Sequence, residues 1–163
     1  MPEPLPSWAS AIFRAPRHLY AWHAGWLLGH RFLMVEHRGR RSGKRYTTVL
    51  EVVHRDRTVP EYVVIAGLGA GADWYRNVRS HATCRIQVGR SSFEASWRDV
   101  EPSEAARLLA GYERRARVAA PVLRRVLTSL VGWKYDGSAA ARDRLVCELP
   151  MLAFRPSSSS ELW

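Results

Sequence analysis

The segment of residues 45–54 restricts the fold more than any other part of the chain. Its alternate positions form two faces, and both are rich in apolar and β-branched side chains. One face carries Tyr46, Thr48, Leu50, Val52 and His54, and the other carries Thr47, Val49, Glu51 and Val53. A strand with one face in water alternates polar and apolar residues, whereas a strand covered on both sides does not. The segment therefore predicts a strand of a closed β-barrel whose outer face is also covered.

Further strands and helices follow from the same kind of pattern. Strand composition recurs in residues 32–37, 60–66, 83–88, 92–100 and 151–154. Helical spacing of apolar residues recurs in residues 104–117, after Pro121, and in residues 139–149. We therefore predict an α+β fold in which about six antiparallel strands with flanking helices occupy residues 32–156. An N-terminal arm with a helix precedes this domain at residues 1–31, and a serine-rich tail, predicted to be disordered, follows it at residues 157–163.

Residues 16–29 have the spacing of an amphipathic helix, because Leu19, Trp22 and Trp26 recur at three- and four-residue intervals. The helix can pack against the barrel, or it can lie on a membrane surface or over a ligand cleft. The sequence shows neither a signal peptide nor an apolar run of membrane-spanning length. We expect a cytoplasmic protein, with peripheral membrane contact through residues 16–29 as an open alternative.

The charge of the chain predicts an anionic partner. The 163 residues include 25 Lys and Arg but only 15 Asp and Glu, which gives a formal net charge of +10. A protein with this excess of positive charge favours an anionic binding partner, such as nucleic acid, an acidic membrane surface or a phosphorylated small molecule. Nucleic acid is not expected, because only the net charge supports it and no aromatic residues interleave the basic loop described next.

Two loops are candidates for close approach to a ligand. The basic loop (residues 39–44) contains Gly39-Arg40-Arg41-Ser42-Gly43-Lys44, which suits either an anion site or an ordinary solvated turn. Its glycine spacing and the strand after it exclude a P-loop. The glycine loop (residues 67–72) precedes a short helix, which Asp73 is expected to cap and which carries Trp74 and Asn77.

Catalysis by side chains alone finds no support in the sequence. No nucleophile–base motif occurs, carboxylates are scattered singly, and Cys84 and Cys147 are too isolated to suggest a metal site. An enzyme with this sequence would rely on a cofactor for its chemistry. Tyr112 and Trp26 are candidate substrate contacts, although packing into the core is an alternative role for each.

Several motifs in a fixed order resemble the deazaflavin-dependent nitroreductase family, the small split β-barrel proteins of actinobacteria that use coenzyme F420. The resemblance covers residues 32–113. The matching motifs are Leu33-Met34, Arg38-Gly39-Arg40-Arg41-Ser42-Gly43-Lys44, Thr48-Val49-Leu50, the loop at residues 67–71, Asp73-Trp74-Tyr75-Arg76-Asn77-Val78, and Ile86-Gln87-Val88-Gly89. The chain departs from the family at Arg45-Tyr46, where Pro-Arg is usual, and in the glycine loop, which lacks the usual Ser-Lys pair.

The resemblance implies a split β-barrel of the FMN-binding type that binds coenzyme F420. It implies that the phosphate and tail of the coenzyme contact Arg40, Arg41, Ser42, Gly43 and Lys44. It also implies that the ring lies near Thr48, Val49, Gly67, Leu68, Gly69, Trp74 and Asn77. The reduced coenzyme would pass a hydride to an electron-poor quinone, activated alkene or nitro compound.

Two alternatives to this activity stay open. The chain could be a non-catalytic protein that binds a deazaflavin or a lipid-like ligand, or an FMN-dependent oxidoreductase on the same fold. The oligomeric state is also left open.

Overall fold

A computed structural model describes residues 29–157. The strands are β1 (Phe32–Arg38), β2 (Arg45–Asp56), β3 (Glu61–Ile65), β4 (Thr83–Val88), β5 (Ser91–Asp99) and β6 (Met151–Pro156). The helices are α1 (Asp73–Arg79), α2 (Pro102–Arg115), α3 (Ala120–Val131) and α4 (Ala139–Glu148). A short 3-10 turn, Arg117–Ala119, joins α2 to α3.

The six strands form a closed barrel in the order β1-β2-β3-β6-β5-β4, and all neighbouring strands are antiparallel. The C-terminal strand β6 lies between β3 and β5, so the end of the chain completes the sheet. This architecture confirms the predicted α+β fold, an antiparallel barrel of six strands with flanking helices.

The barrel interior is one of two hydrophobic cores. Leu33 and Val35 of β1, and Leu50 and Val52 of β2, point into it together with Phe154 of β6. Helix α1 adds Trp74, Tyr75 and Val78 to the same cluster. Alternate residues of a strand point to opposite faces, which explains why β1 and β2 each contribute every second residue. Helix α1 is therefore anchored to the inner core by three side chains.

The second core lies between the outside of the barrel and helices α2, α3 and α4. Val53, Val63 and Ala153 supply the strand side of this core, and Leu109 and Leu145 are among its helical members. The register between β2 and β3 shifts between Val52 and His54. The neighbouring residues Val52 and Val53 of β2 belong to different cores, Val52 to the inner core and Val53 to the outer one. This is expected for a strand that is covered on both faces.

Two predicted segments lie almost wholly outside the described residues: the helix at 16–29, of which only Gly29 is described, and the serine-rich tail, of which only Ser157 is described. Trp26 is also outside the described residues. Ser157 is buried, and its amide donates to the carbonyl of Glu94 on β5. Within residues 29–157, no helix is both long enough and apolar enough to cross a membrane.

Candidate functional site

The basic loop forms a compact turn between β1 and β2. The Gly39 amide donates to the Lys44 carbonyl at 2.8 Å, and the Gly43 amide donates to the Gly39 carbonyl at 2.9 Å. A Cβ atom at Gly39 would lie 2.5 Å from Ser42 Oγ and 3.0 Å from Tyr46 Cε2, so a larger residue there would require both side chains to move. Arg41 and Lys44 are exposed, and neither side chain has a partner among the described residues.

Arg40 differs from the other cations of the basic loop because helix α1 holds it. Its amide donates to Asn77 Oδ1 at 3.1 Å, and its Nη1 donates to the same oxygen at 2.9 Å. Nη1 also contacts Asp73 Oδ1 at 3.1 Å. The sequence prediction that Asp73 caps α1 is wrong, because the helix begins one position earlier than expected: Ala72 is the N-cap residue and Asp73 is the first residue of the helix. The Asp73 carboxylate pairs with Arg40 instead.

A buried hydrogen-bonded chain continues from Asn77 into the barrel. Asn77 Nδ2 lies 3.3 Å from His37 Nδ1, and His37 Nε2 lies 3.1 Å from Thr48 Oγ1. An amide nitrogen can only donate, so His37 accepts at Nδ1 and donates from Nε2 as a neutral ring. Burial lowers the pKa of His37, although the nearby Asp73 carboxylate partly opposes this shift. The chain thus connects β2, β1, α1 and the basic loop.

The glycine loop lies against the outer helices. Gly69 has a positive φ of 75°, and a Cβ atom there would be 3.3 Å from the Glu148 carbonyl at the end of α4. A Cβ atom at Gly67 would contact Leu130 of α3. Leu68 is 75% exposed. The loop therefore fits closely against α3 and α4 while its one large side chain is exposed to solvent.

A cleft of about 440 Å³ opens beside α1 and is rich in arginine. Arg40 from the basic loop and Arg76 and Arg79 from α1 line it together with Tyr75. Arg79 forms an ion pair with Asp99, and its Nη1 also donates to Tyr75 Oη at 3.2 Å. Its guanidinium lies 5.5 Å from the ring centre of Trp97. Arg79 is thus fixed in place, whereas Arg76 is exposed.

A second cleft, of about 390 Å³, lies where β1, β4 and the end of α1 meet. His37, Asn77, His81 and Cys84 line it together with charged residues of both signs. Burial, and then the Glu94 carboxylate, raise the pKa of Cys84 to about 12, so this thiol is a poor nucleophile. Among the described residues, no group of three or more His, Cys, Asp or Glu side chains could hold a metal.

The outer face of β2 carries the remaining candidates. Val49 is half-buried there and pairs with Met34 of β1. Tyr112 of α2 donates a short hydrogen bond to Glu51, which shares this face. Burial, and then Glu51, raise the pKa of Tyr112, so its phenol is protonated at neutral pH. Thr48 points the opposite way, toward His37.

The structure brings the predicted site residues together only in part. Arg40 and Asn77 are in direct contact, and Trp74 is packed in the inner core at 8% exposure. The site residues predicted from the sequence did not include His37, Arg76 or Arg79. Leu33, Val35 and His37 are alternate residues of β1, and all three are buried on the side that points into the barrel. This two-residue spacing is the sequence signal that could have identified His37 as a buried polar residue.

Residues 13–121, more than half of the chain, match the sequence profile of the F420H(2)-dependent quinone reductase family. No curated protein sequence is significantly similar to the chain.

Solved structures resemble the chain at low sequence identity. The structure of an F420-H2 dependent reductase (FDR-A) is 19% identical over 78% of this chain and 96% of that one, with a TM-score of 0.48. A structure described as a domain-swapped dimer is 17% identical over 91% and 100%, with a TM-score of 0.50. A protein of unknown function from Agrobacterium tumefaciens is 16% identical over 96% and 58%, with a TM-score of 0.52. At these identities the likeness concerns the fold alone.

Proposed function

The chain belongs to the F420H2-dependent quinone reductase family, and we propose that it binds the reduced deazaflavin coenzyme F420 beside the basic loop and reduces a quinone. One observation carries the proposal: the basic loop and α1 both lie within the matched residues, and Asn77 joins them into one cation-rich surface. This coenzyme has a flat ring, a phosphate and an oligoglutamate tail. When bound, its reduced ring supplies a hydride to an electron-poor acceptor.

The basic loop fits the anionic part of the coenzyme. Arg41 and Lys44 are exposed cations without partners in residues 29–157, and the amides of Arg41 and Ser42 also have no acceptor there. Charge-assisted bonds from such groups to phosphate are short and strong. The positive φ of Gly43 keeps the turn compact. We assign Arg41, Ser42, Gly43 and Lys44 to the phosphate, and Arg40 to positioning the loop.

The outer face of β2 and the glycine loop fit the ring. Val49 supplies apolar surface on β2, and Gly67, Leu68 and Gly69 supply the opposite wall in this proposal. Thr48 faces the barrel interior, and Trp74 and Asn77 are almost fully buried. These three residues would support the wall from behind and would not contact the ring itself.

Tyr112 is proposed to contact the acceptor. Its hydrogen-bond partner Glu51 lies two residues from Val49 on the same face of β2, which is about 7 Å along a strand. Reduction of a quinone consumes one hydride and one proton. The Tyr112 phenol stays protonated but has a single hydrogen to donate, so on binding of the quinone it would exchange its bond to Glu51 for a bond to the quinone oxygen on which negative charge develops. Nitro compounds and activated alkenes also carry an oxygen that could accept this hydrogen bond. They are therefore the other acceptors to test.

The first experiment is an anaerobic fluorescence titration of the protein with coenzyme F420. We expect micromolar binding by the wild type and binding weaker by about 10- to 100-fold in Arg41→Ala/Lys44→Ala, because bonds to a charged ligand are lost. Arg107→Ala/Arg125→Ala removes the same charge from exposed positions on α2 and α3 and should bind normally. Failure of the wild type to bind at micromolar concentration would reject the proposal.

The second experiment measures oxidation of the bound reduced coenzyme by a panel of quinones, nitro compounds and alkenes. Oxidation by quinones supports a quinone reductase. Binding without oxidation by any acceptor supports a non-catalytic deazaflavin or lipid-like binder instead. A purified protein that is yellow from bound FMN would favour the flavin-dependent alternative.

We also propose that the chain forms an oligomer, because one structure of similar fold is described as a domain-swapped dimer. Light scattering on the purified protein tests this directly. A molar mass equal to that of one chain, 18.6 kDa, would contradict it.

A further inference from the structure

The corner between α2 and α3 (residues 114–125) exposes aliphatic side chains that do not contribute to either core. Val118, in the 3-10 turn, is fully exposed, and Val122, one turn later in α3, is 51% exposed. Residues four positions apart lie on the same side of a helical segment, so the two valines are neighbours on the surface. Leu127, the residue that α3 buries, lies on the roughly opposite side of the helix.

The same corner is strongly cationic. Five of its residues are arginine and none is acidic: Arg114, Arg115, Arg117, Arg124 and Arg125. The fold holds two of them, because Arg115 donates to the Val53 carbonyl at 2.8 Å and the Arg124 guanidinium lies against Gly137. The other three form no hydrogen bond or ion pair within residues 29–157. Their charges are therefore available to an external anion.

Exposed aliphatic side chains among arginines match the surface of a bilayer that contains anionic lipids. Short apolar side chains enter the boundary between head groups and acyl chains, and long arginine side chains reach the phosphates. Anionic lipids also attract basic segments from solution. A nucleic acid backbone would satisfy the arginines, but it offers no apolar surface to the two valines.

Two other occupants of the corner are disfavoured by charge. A second copy of the chain that docked corner to corner would bring identical arginines together across a twofold interface, where they repel. Residues 1–28 of the chain contain Arg14 and Arg17 but a single carboxylate, Glu3, so their charge does not complement the corner either. An anionic bilayer is the partner that satisfies both the valines and the arginines.

We propose that the corner between α2 and α3 is a docking surface for an anionic membrane. Val118 and Val122 insert between the lipid head groups, and Arg114, Arg117 and Arg125 contact the lipid phosphates. This surface is separate from residues 16–29, for which the sequence left membrane contact open. The inference involves neither the coenzyme nor the acceptor, so it does not rest on the proposed function.

The experiment is cosedimentation of the full-length protein with vesicles of phosphatidylcholine alone or of an equal mixture of phosphatidylcholine and phosphatidylglycerol. We expect the wild type to bind the mixed vesicles preferentially, and less strongly as salt is added. Arg117→Ala/Arg125→Ala should weaken this binding by about 10- to 30-fold, because each arginine near an anionic surface contributes about fivefold. Val118→Ser/Val122→Ser should weaken it by about tenfold through lost apolar contact.

Arg38→Ala/Arg85→Ala is the matched control for charge. It removes two exposed arginines from β1 and β4, strands that contribute none of the described residues of the outer core beneath the helices. This variant should bind the mixed vesicles like the wild type. Equal weakening in the control and in Arg117→Ala/Arg125→Ala would mean that net charge alone drives binding, and it would overturn the inference. Failure of the wild type to bind the mixed vesicles would also overturn it.

Trp22→Ser/Trp26→Ser distinguishes the corner from residues 16–29. If this variant lost vesicle binding while both corner variants bound like the wild type, residues 16–29 would be the membrane contact and the inference would be wrong.

Light scattering and urea unfolding of Val118→Ser/Val122→Ser test the other occupants. We expect the same molar mass and the same urea midpoint as in the wild type, since both valines are exposed. A dimer that this variant dissociates would assign the corner to a second copy. A lowered urea midpoint without a change in molar mass would assign the valines to a contact within the chain. Either result would overturn the inference.

Discussion

At the scale of single residues, Gly69 shows how the backbone of the glycine loop is fixed. Its φ of 75° is unfavourable for any residue with a Cβ atom, and that atom would press on the Glu148 carbonyl. We expect Gly69→Ala to lower the free energy of unfolding by about 1–2 kcal/mol. Gly71→Ala is the control, because Gly71 has no positive φ and open space around its Cβ position. Urea unfolding that gave equal midpoints for both variants would contradict this account.

His37 makes stability depend on pH. Burial lowers its pKa below the ordinary value of 6.5 despite the opposing Asp73 carboxylate. The unfolded chain therefore binds the proton first, and the contribution of neutral His37 is complete above pH 6.5 and is lost as pH falls through the folded pKa. We expect the free energy of unfolding to decrease from pH 7 to pH 5. The decrease should be smaller in His37→Gln.

His30 titrates in the same range, because burial, and then Arg55 and Arg57, lower its pKa as well. The free energy of unfolding of His37→Gln should therefore still depend on pH to some extent. Denaturant titrations of both proteins at several pH values measure the difference. If the free energy of unfolding changed equally with pH in wild type and His37→Gln, His37 would not contribute to the pH dependence of stability.

At the scale of elements, Asn77 couples α1 to the basic loop. Its Oδ1 accepts two hydrogen bonds from Arg40, and its Nδ2 donates to His37. We expect Asn77→Ala to destabilise the protein by about 1–3 kcal/mol, because buried partners lose their bonds. Hydrogen exchange should accelerate at the Gly39 and Gly43 amides in this variant.

The β3–β6 ladder provides an internal reference for that experiment, because it lies in another part of the barrel. Its exchange should change only as much as the global stability does. Uniform acceleration across basic loop and ladder would mean that Asn77 supports the fold in general and has no specific role in holding the loop.

The sequence was sufficient to predict elements but not the contacts between them. The two covered faces of β2 and the alternating composition of the other strands predicted the barrel, because side-chain alternation reports burial directly. The contact of Arg40 with Asn77 could not be predicted in this way. The two residues are 37 positions apart, and only the closed barrel brings the basic loop over α1. Arg76 and Arg79 were missed because exposed arginines are common in this chain and become a cluster only in three dimensions.

At the scale of the whole molecule, Glu61 connects the barrel to the outer helices. It is almost fully buried in β3 and forms ion pairs with Arg98 of β5 and Arg155 of β6. Arg98 also pairs with Glu104 of α2 at 2.8 Å. Burial alone would raise the pKa of Glu61, but hydrogen bonds from Arg98 and Arg155 outweigh it and lower the pKa below 4.5.

Glu61→Gln should therefore destabilise the whole barrel. We expect the free energy of unfolding to fall by about 2–3 kcal/mol at pH 7. This is less than for a fully buried ion pair, because both arginines are partly exposed. A carboxylate with a lowered pKa stabilises the fold above its unfolded pKa and loses that effect as pH falls through the folded pKa. The difference between wild type and variant should accordingly narrow below pH 4.5. Asp143→Asn on α4 is the control, because it removes an exposed carboxylate and should unfold like wild type. If the difference in the free energy of unfolding between wild type and Glu61→Gln did not change with pH, the ionised pair could not be its cause.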